Sequence, residues 1–195
     1  MNQPKALSTA EAAHELGVSI KTVQQWMEKG LLSGWKTPGG HRRVHLDEVR
    51  QLAEERQRAK RNSIGNICKV LVIEDDPDIC RLYDIMRRTW RTPTEMHFAH
   101  DGMAGLIALG KLVPDFVVVD LNIPKVDGYQ LVQSLHQQFD SQALRYCVVT
   151  GLSKDDIEER GKLPDRCRIL SKPIDFVTLE QWIATAFSEV TARTA

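Results

Sequence analysis

No apolar run in this chain approaches the roughly 20 residues needed to cross a bilayer, and no charged-then-apolar stretch marks a secretion signal. These two absences exclude a spanning helix and set the expectation of a cytoplasmic protein with no membrane partner. Cysteine is scarce as well. Cys68, Cys80, Cys147 and Cys167 lie far apart with no paired spacing, which excludes a zinc ribbon or a disulfide framework and leaves them as small buried hydrophobes. There is no solenoid-type repeat and no low-complexity tract. Net charge is absent too, since 26 Lys and Arg balance 26 Asp and Glu. That balance hides an uneven distribution: through Asn62 there are 11 basic against 7 acidic residues, and from Ser63 onward 15 against 19. A basic first third suits a polyanion, and an acidic remainder suits metal and phosphate chemistry.

The length of 195 residues accommodates two small domains. In the first, Ser8-x-x-Glu11 and Ser19 before Thr22-Val23 read as helix starts, with Gly17 and Gly30 as stops. Trp35 to Val44, centred on Pro38-Gly39-Gly40, reads as a small hairpin. A third helix is expected from Leu46-Asp47, with Val49 and Leu52-Ala53 on its apolar stripe. Between Glu54 and Arg61 only Ala59 is apolar, so this tail reads as solvated. The expected division is 1–53 for the first domain, 54–66 for a helical or flexible linker without sustained heptads, and 67–195 for the second domain.

After the linker, short apolar runs alternate with helical periods. Val70–Ile73, Phe116–Val119, Tyr146–Val149 and Arg168–Leu170 have the composition of strands buried on both faces of a parallel sheet, with helices expected near 79–88, 129–138 and from Asp175. The fold class is therefore α/β, a doubly wound parallel sheet, and in such a sheet functional groups gather at the carboxyl ends of the strands. Those ends carry Glu74-Asp75, Asp120, Thr150 and Lys172-Pro173. Converging carboxylates repel unless a cation neutralises them, and an oxygen-only set suits Mg²⁺. An ionised Asp120 beside such a cation is placed to attack phosphorus, with Thr150 and Lys172 contacting the phosphoryl oxygens. A strand-end Asp alone more often caps a helix, and Asp76 is read that way.

The segments Val70–Pro77 and Val118–Gly128, followed at the right spacing by Thr150 and Lys172-Pro173, resemble the receiver domains of bacterial response regulators over about residues 69–190. The resemblance implies a five-stranded, flavodoxin-like receiver with Asp120 as phosphorylation site. It also implies Mg²⁺ held by Glu74, Asp75, Asp120 and the Asn122 carbonyl, and Lys172 as the phosphate-binding lysine. The family's switch position falls on Ile169 in place of an aromatic, leaving Thr150 as the mobile group, and Gly151 leaves the site open. The family implies phosphotransfer from a histidine kinase or phosphotransfer protein, and an acceptor that takes part in its own phosphorylation and dephosphorylation without being an enzyme on a separate substrate. A phosphohydrolase is disfavoured because such enzymes usually carry a second Asp where this chain has Asn122.

Thr9–Ser19, Thr22–Trp26, Gly30-Leu31-Leu32 and Gly39–Arg43 resemble the winged helix-turn-helix of the MerR and excisionase type over about residues 6–53. Ala12, Leu16, Val18, Val23 and Trp26 are its expected core, with Trp35 also packed inside. Ser19, Lys21, Thr22 and Gln25 are the expected DNA-facing residues of the second helix, with Arg42 and Arg43 on the wing contacting phosphate or the minor groove of double-stranded DNA, and His41 either joining them or serving the fold of the wing. The combined reading is a transcription-modulating response regulator with its output module first. The alternative is a signalling adaptor whose receiver docks a protein and whose first module is architectural. On the last helix Trp182 and Phe187 flank the core stripe Leu179, Ile183, Ala186 and Val190, and no Lys or Arg lies between Asp175 and Val190. A phosphorylation-dependent homodimer is therefore expected to use an apolar contact that includes Trp182.

Overall fold

The computed structural model describes residues 5–63, 67–124, 126–138, 144–165 and 167–192. Lys125 of the Val118–Gly128 segment and residues 64–66 of the expected linker lie outside them.

The first module runs β1 (Ala6–Ser8), α1 (Thr9–Leu16), α2 (Ile20–Glu28), β2 (Gly34–Lys36), β3 (Arg42–His45) and α3 (Leu46–Ser63). Its helix starts follow from capping chemistry. The Ser8 hydroxyl accepts from the Glu11 amide at 3.2 Å while the Glu11 carboxylate accepts from the Ser8 amide at 2.7 Å, a reciprocal box that satisfies two orphan donors. Helix α1 stops at Gly17, whose φ of 63° is left-handed and costs glycine no Cβ clash. Ala12, Leu16, Val23, Trp26, Leu32, Val44, Val49 and Leu52 close into one small core. Trp35 is not part of it: the residue is 38% exposed on the three-residue edge strand β2, tilted against His45 with ring centroids 5.1 Å apart. A short edge strand with no layer over it has no core to offer.

The second module alternates β4 (Cys68–Ile73), α4 (Pro77–Arg87), β5 (Thr94–Ala99), α5 (Gly102–Leu112), β6 (Phe116–Asp120), α6 (Gly128–Gln138), β7 (Arg145–Thr150), α7 (Lys154–Arg160), β8 (Arg168–Ser171) and α8 (Phe176–Ala192). All five strands are parallel in the order β5-β4-β6-β7-β8. Every residue of β4 and β6 is buried, because helices cover both faces of the sheet. One face packs Leu71, Ile73, Val117 and Val119 under α5 and α6, and the other packs Val70, Val72, Phe116 and Val118 under α8. The edge strand β5 is half-polar, Thr-Glu-Met-His-Phe-Ala, and therefore lacks the apolar run that marks its neighbours.

The expected boundary at residue 53 falls inside α3, which continues as one helix to Ser63. The solvated reading of its tail is overturned at Arg56, which is only 7% exposed. Its long side chain reaches backbone carbonyls of the second module, so a charged residue is buried there without an apolar neighbour in sequence.

Helix α6 starts after Asp127, whose Oδ1 accepts from the Tyr129 amide at 3.0 Å, and crowding requires the glycine at its first position. A Cβ at Gly128 would lie 2.5 Å from the Leu121 Cα and 2.7 Å from the Asp120 carbonyl oxygen, atoms of backbone that cannot yield independently. Gly128→Ala is expected to cost about 1–3 kcal/mol, as overpacking of a close-packed site does. Gly151→Ala, where no atom lies within 4 Å of the added methyl, should stay within about 0.5 kcal/mol of the parent. Urea unfolding of both variants measures the difference, and equal midpoints would refute the crowding.

Candidate functional site

The carboxyl ends of β4, β6, β7 and β8 bring Glu74, Asp120, Thr150 and Lys172 to one edge of the sheet. Glu74 is 2% exposed, Asp120 5% and Thr150 fully buried. The Lys172 ammonium donates to Glu74 Oε2 at 2.9 Å and to Asp120 Oδ2 at 2.7 Å, so one cation bridges two buried carboxylates. Asp120 Oδ1 accepts from the Asn122 amide at 2.9 Å, and the Asp76 amide donates to Glu74 Oε1 at 3.3 Å. Burial pushes the Glu74 carboxyl above the ordinary carboxylate range; repulsion from Asp120 adds to this, and Lys172 offsets only part of it. For Lys172, burial alone would lower the pKa, yet its hydrogen bonds and attraction to Asp120 and Glu74 outweigh that and raise it.

Asp75 is exposed beside this pair, and Glu74, Asp75 and Asp120 each place one carboxylate oxygen within 4.8 Å of the others. Three such oxygens form a donor set that fits a hard divalent cation. Asp76 caps α4, its Oδ1 accepting from the Asp78 amide at 2.8 Å. Thr150 Oγ1 accepts from the Leu152 amide at 3.2 Å, and the peptide bond between Lys172 and Pro173 is cis. Ile169 is 43% exposed on the edge strand β8, outside the cluster.

The first module divides the expected DNA-facing residues into two groups. Lys21 is exposed on α2, Gln25 is partly buried, His41 is exposed on the hairpin and Arg43 is half-buried on β3. Thr22 is corrected, and Ser19 has a second role. Thr22 is 1% exposed and its hydroxyl lies 2.9 Å from that of Ser19, because the first turn of α2 turns this position inward. Ser19 is the cap of α2, accepting from the Thr22 amide at 3.1 Å, so its hydroxyl serves the helix end. Arg42 is tied to Glu28 at 2.7 Å, which joins the wing to the end of α2. Glu28 had no sequence signal, since it lies 14 residues from its partner.

The surroundings of Trp182 differ from those expected. The Arg168 guanidinium stands 5.1 Å over its ring, and Arg145 pairs with Glu189, so strands β7 and β8 supply the cations that α8 itself lacks. Among the described residues no helix is long and apolar enough to cross a membrane.

Fold and site together define a doubly wound α/β domain with an acid–lysine centre at its strand ends, preceded by a winged helix-turn-helix. Comparison with known families finds the response regulator receiver domain over residues 70–184 and a helix-turn-helix domain over residues 6–57. The chain belongs to the response regulator receiver family. It is similar to the DNA-binding dual master transcriptional regulator RpaA of Synechocystis, 29% identical over 55% of this chain and 44% of that protein. It is also similar to protein PilH of Pseudomonas aeruginosa, 23% identical over 58% of this chain and 92% of that one. The chain thus spans under half the length of the first of these relatives. A CheY-like receiver domain from Methylobacillus flagellatus superposes with a TM-score of 0.52 at 25% identity, covering 62% of this chain and 98% of that one. The receiver domain of a DNA binding response regulator protein (merR) from Colwellia psychrerythraea shares the fold, with a TM-score of 0.51 at 20% identity over 60% of this chain and 96% of that one.

The raised pKa of Lys172 has a direct consequence for the metal-free protein. A cation with a higher pKa folded than unfolded contributes stability below its unfolded value, near 10.4, which is lost as pH rises through the folded value. Lys172→Met should remove this alkaline loss and lower stability at neutral pH by on the order of 3 kcal/mol, because two buried carboxylates then lack their cation. Denaturant unfolding from neutral pH to about pH 11 in chelator tests both statements. An unchanged alkaline limb would refute the assignment.

Proposed function

We propose that this chain is a DNA-binding response regulator of a two-component system, phosphorylated on Asp120 by a histidine kinase or a phosphotransfer protein to modulate transcription. The observation that carries the reading is the Asp120 carboxylate held by two donors, Lys172 and the Asn122 amide, at the mouth of an acidic cluster. This arrangement fixes an oxygen nucleophile for attack on phosphorus. An Asp120 oxygen forms a bond to phosphorus as the phosphorus–nitrogen bond of the donor phosphohistidine breaks, and the departing imidazole keeps the electron pair and takes up a proton. Lys172 then faces the transferred phosphoryl oxygens and holds their charge, and Thr150 turns its hydroxyl toward them. Glu74, Asp75, Asp120 and the Asn122 carbonyl would hold Mg²⁺, which when bound neutralises charge on those oxygens. Gly151 leaves room for donor and, later, water, and in this reading the acyl phosphate on Asp120 is the one phosphate the chain turns over.

The helix-turn-helix match, the basic first third and the wing support duplex DNA as the output partner, as does the DNA-binding role of the relative from Synechocystis. The cytoplasm is the compartment that offers both kinase and DNA.

Intact-mass measurement after incubation with acetyl phosphate and Mg²⁺ should show one base-labile phosphate that is absent from Asp120→Asn. Full labelling of that variant would overturn the site. For the output module, Lys21→Ala and Arg43→Ala should each weaken binding and lower the slope of log affinity against log salt by about 1. Fluorescence anisotropy with labelled duplex reads both. Unchanged slopes would remove these residues from the interface, and selection from a random pool that enriches no sequence would favour the adaptor.

A further inference from the structure

The two modules meet through one buried cation. Arg56, on the part of α3 beyond the small core, donates through Nη1 to the Gly110 carbonyl at 2.8 Å and to the Leu109 carbonyl at 3.4 Å. Both carbonyls belong to the last turn of α5, where helix geometry leaves acceptors without intrahelical donors and the macrodipole concentrates negative potential. Arg56 therefore caps a helix of the other module. Its guanidinium also stands 5.6 Å from the centroid of the Trp26 ring, so the same cation is shared by the core of the DNA-reading module and the receiver.

The apolar part of the contact is closely fitted. A Cβ at Gly110 would lie 2.8 Å from Leu31 Cδ2 and 3.1 Å from Trp26 Cζ2, so the modules approach as near as a glycine permits. Beside it, the Lys21 ammonium donates to Gln137 Oε1 of α6 at 3.1 Å. Lys21 is the cation of the α2 face expected to meet phosphate, and in this arrangement the receiver holds it.

The opposite end of α5 touches the phosphoacceptor loop. A Cβ at Gly102 would lie 2.7 Å from the Val126 Cβ and 3.3 Å from Ile123 Cδ1. Helix α5 has 11 residues, and at about 1.5 Å per residue it spans roughly 16 Å as one rigid element. One end abuts the segment that follows Asp120, and the other holds Arg56.

We propose that Arg56 parks the DNA-reading module on the receiver by capping α5, with Lys21 withheld on Gln137, and that phosphorylation of Asp120 releases the module through α5. The proposal rests on the reading of the chain as a phosphorylated DNA-binding regulator. It adds the device by which the two halves communicate.

The test uses the full chain and two variants outside the phosphoacceptor cluster and the DNA-reading face. Arg56→Met keeps an unbranched apolar stem and removes the donors, and Gly110→Leu inserts a wedge between the modules. Small-angle scattering should show a larger radius of gyration for both. Both should bind a random-sequence duplex about tenfold tighter than the parent, within the usual range of coupling between sites. Beryllofluoride with Mg²⁺ should raise the parent's affinity by a similar factor and raise that of the variants by less. Variants that stay as compact as the parent would show that Arg56 and Gly110 do not hold the modules together. Expanded variants that bind duplex no tighter than the parent, or respond to beryllofluoride as fully, would overturn release as the mechanism while leaving DNA binding in place. If neither parent nor variants bind any duplex, the DNA-binding reading fails and takes this proposal with it.

Discussion

Two carboxylates buried at adjacent strand ends are unfavourable neighbours, and the Lys172 ammonium between them is what makes their burial tolerable. Glu74 and Asp120 are each almost fully covered, in a place where an isolated charge would be costly to desolvate. Their tolerance requires a cation at hydrogen-bonding distance from both, and β8 must deliver it from 98 residues further along the chain than Glu74. The sheet order therefore has a chemical consequence. With β4 beside β6 and β7 next to it, the ends of three adjacent strands and the start of the β8 loop meet at one edge. Asp75, exposed at the rim, adds the third oxygen without adding a third buried charge.

The same constraint explains which parts of the receiver were legible in sequence. Strands buried on both faces carry near-continuous apolar runs, so β4, β6 and β7 were visible as Val70–Ile73, Phe116–Val119 and Tyr146–Val149, and the polar residue ending each run marked the functional edge. β5 was not, because an edge strand tolerates Thr94, Glu95 and His97. The acid–lysine centre was readable because four strand ends in a fixed order leave few other arrangements. Side-chain roles within the first module were less readable. Ser19 and Thr22 have the composition of phosphate contacts and of a helix start alike, and the structure gives both hydroxyls to the helix start. Trp35 carries a large apolar surface, which favoured burial, yet a three-residue edge strand had nothing to cover it.

Arg56 shows a deeper limit on sequence reading. A charged residue among Glu54, Glu55 and Gln57 has every local mark of a solvated helix face. Its acceptors are backbone carbonyls 53 and 54 residues away, and a carbonyl leaves no trace in residue type. Hydrogen bonds from side chain to distant backbone are therefore the class of contact that composition and periodicity cannot disclose. Only the missing side chain of Gly110 points to one, and a glycine within a helical pattern has several explanations until its neighbour is seen.

The two cations that organise this chain work by the same physics at different scales. Lys172 neutralises formal charges on side chains that are themselves reactive, so any change in charge at Asp120 acts on it directly. Arg56 meets only partial charges at a helix end, which are weaker and reach only across the last turn. A contact of that strength holds two modules while remaining within the few kcal/mol that a single modification can overcome. A stronger, fully paired salt bridge in the same position would resist release, and an apolar seam alone would lack the directional fit to the end of α5. The guanidinium suits the intermediate case, because its planar donors reach two carbonyls while its face remains over Trp26.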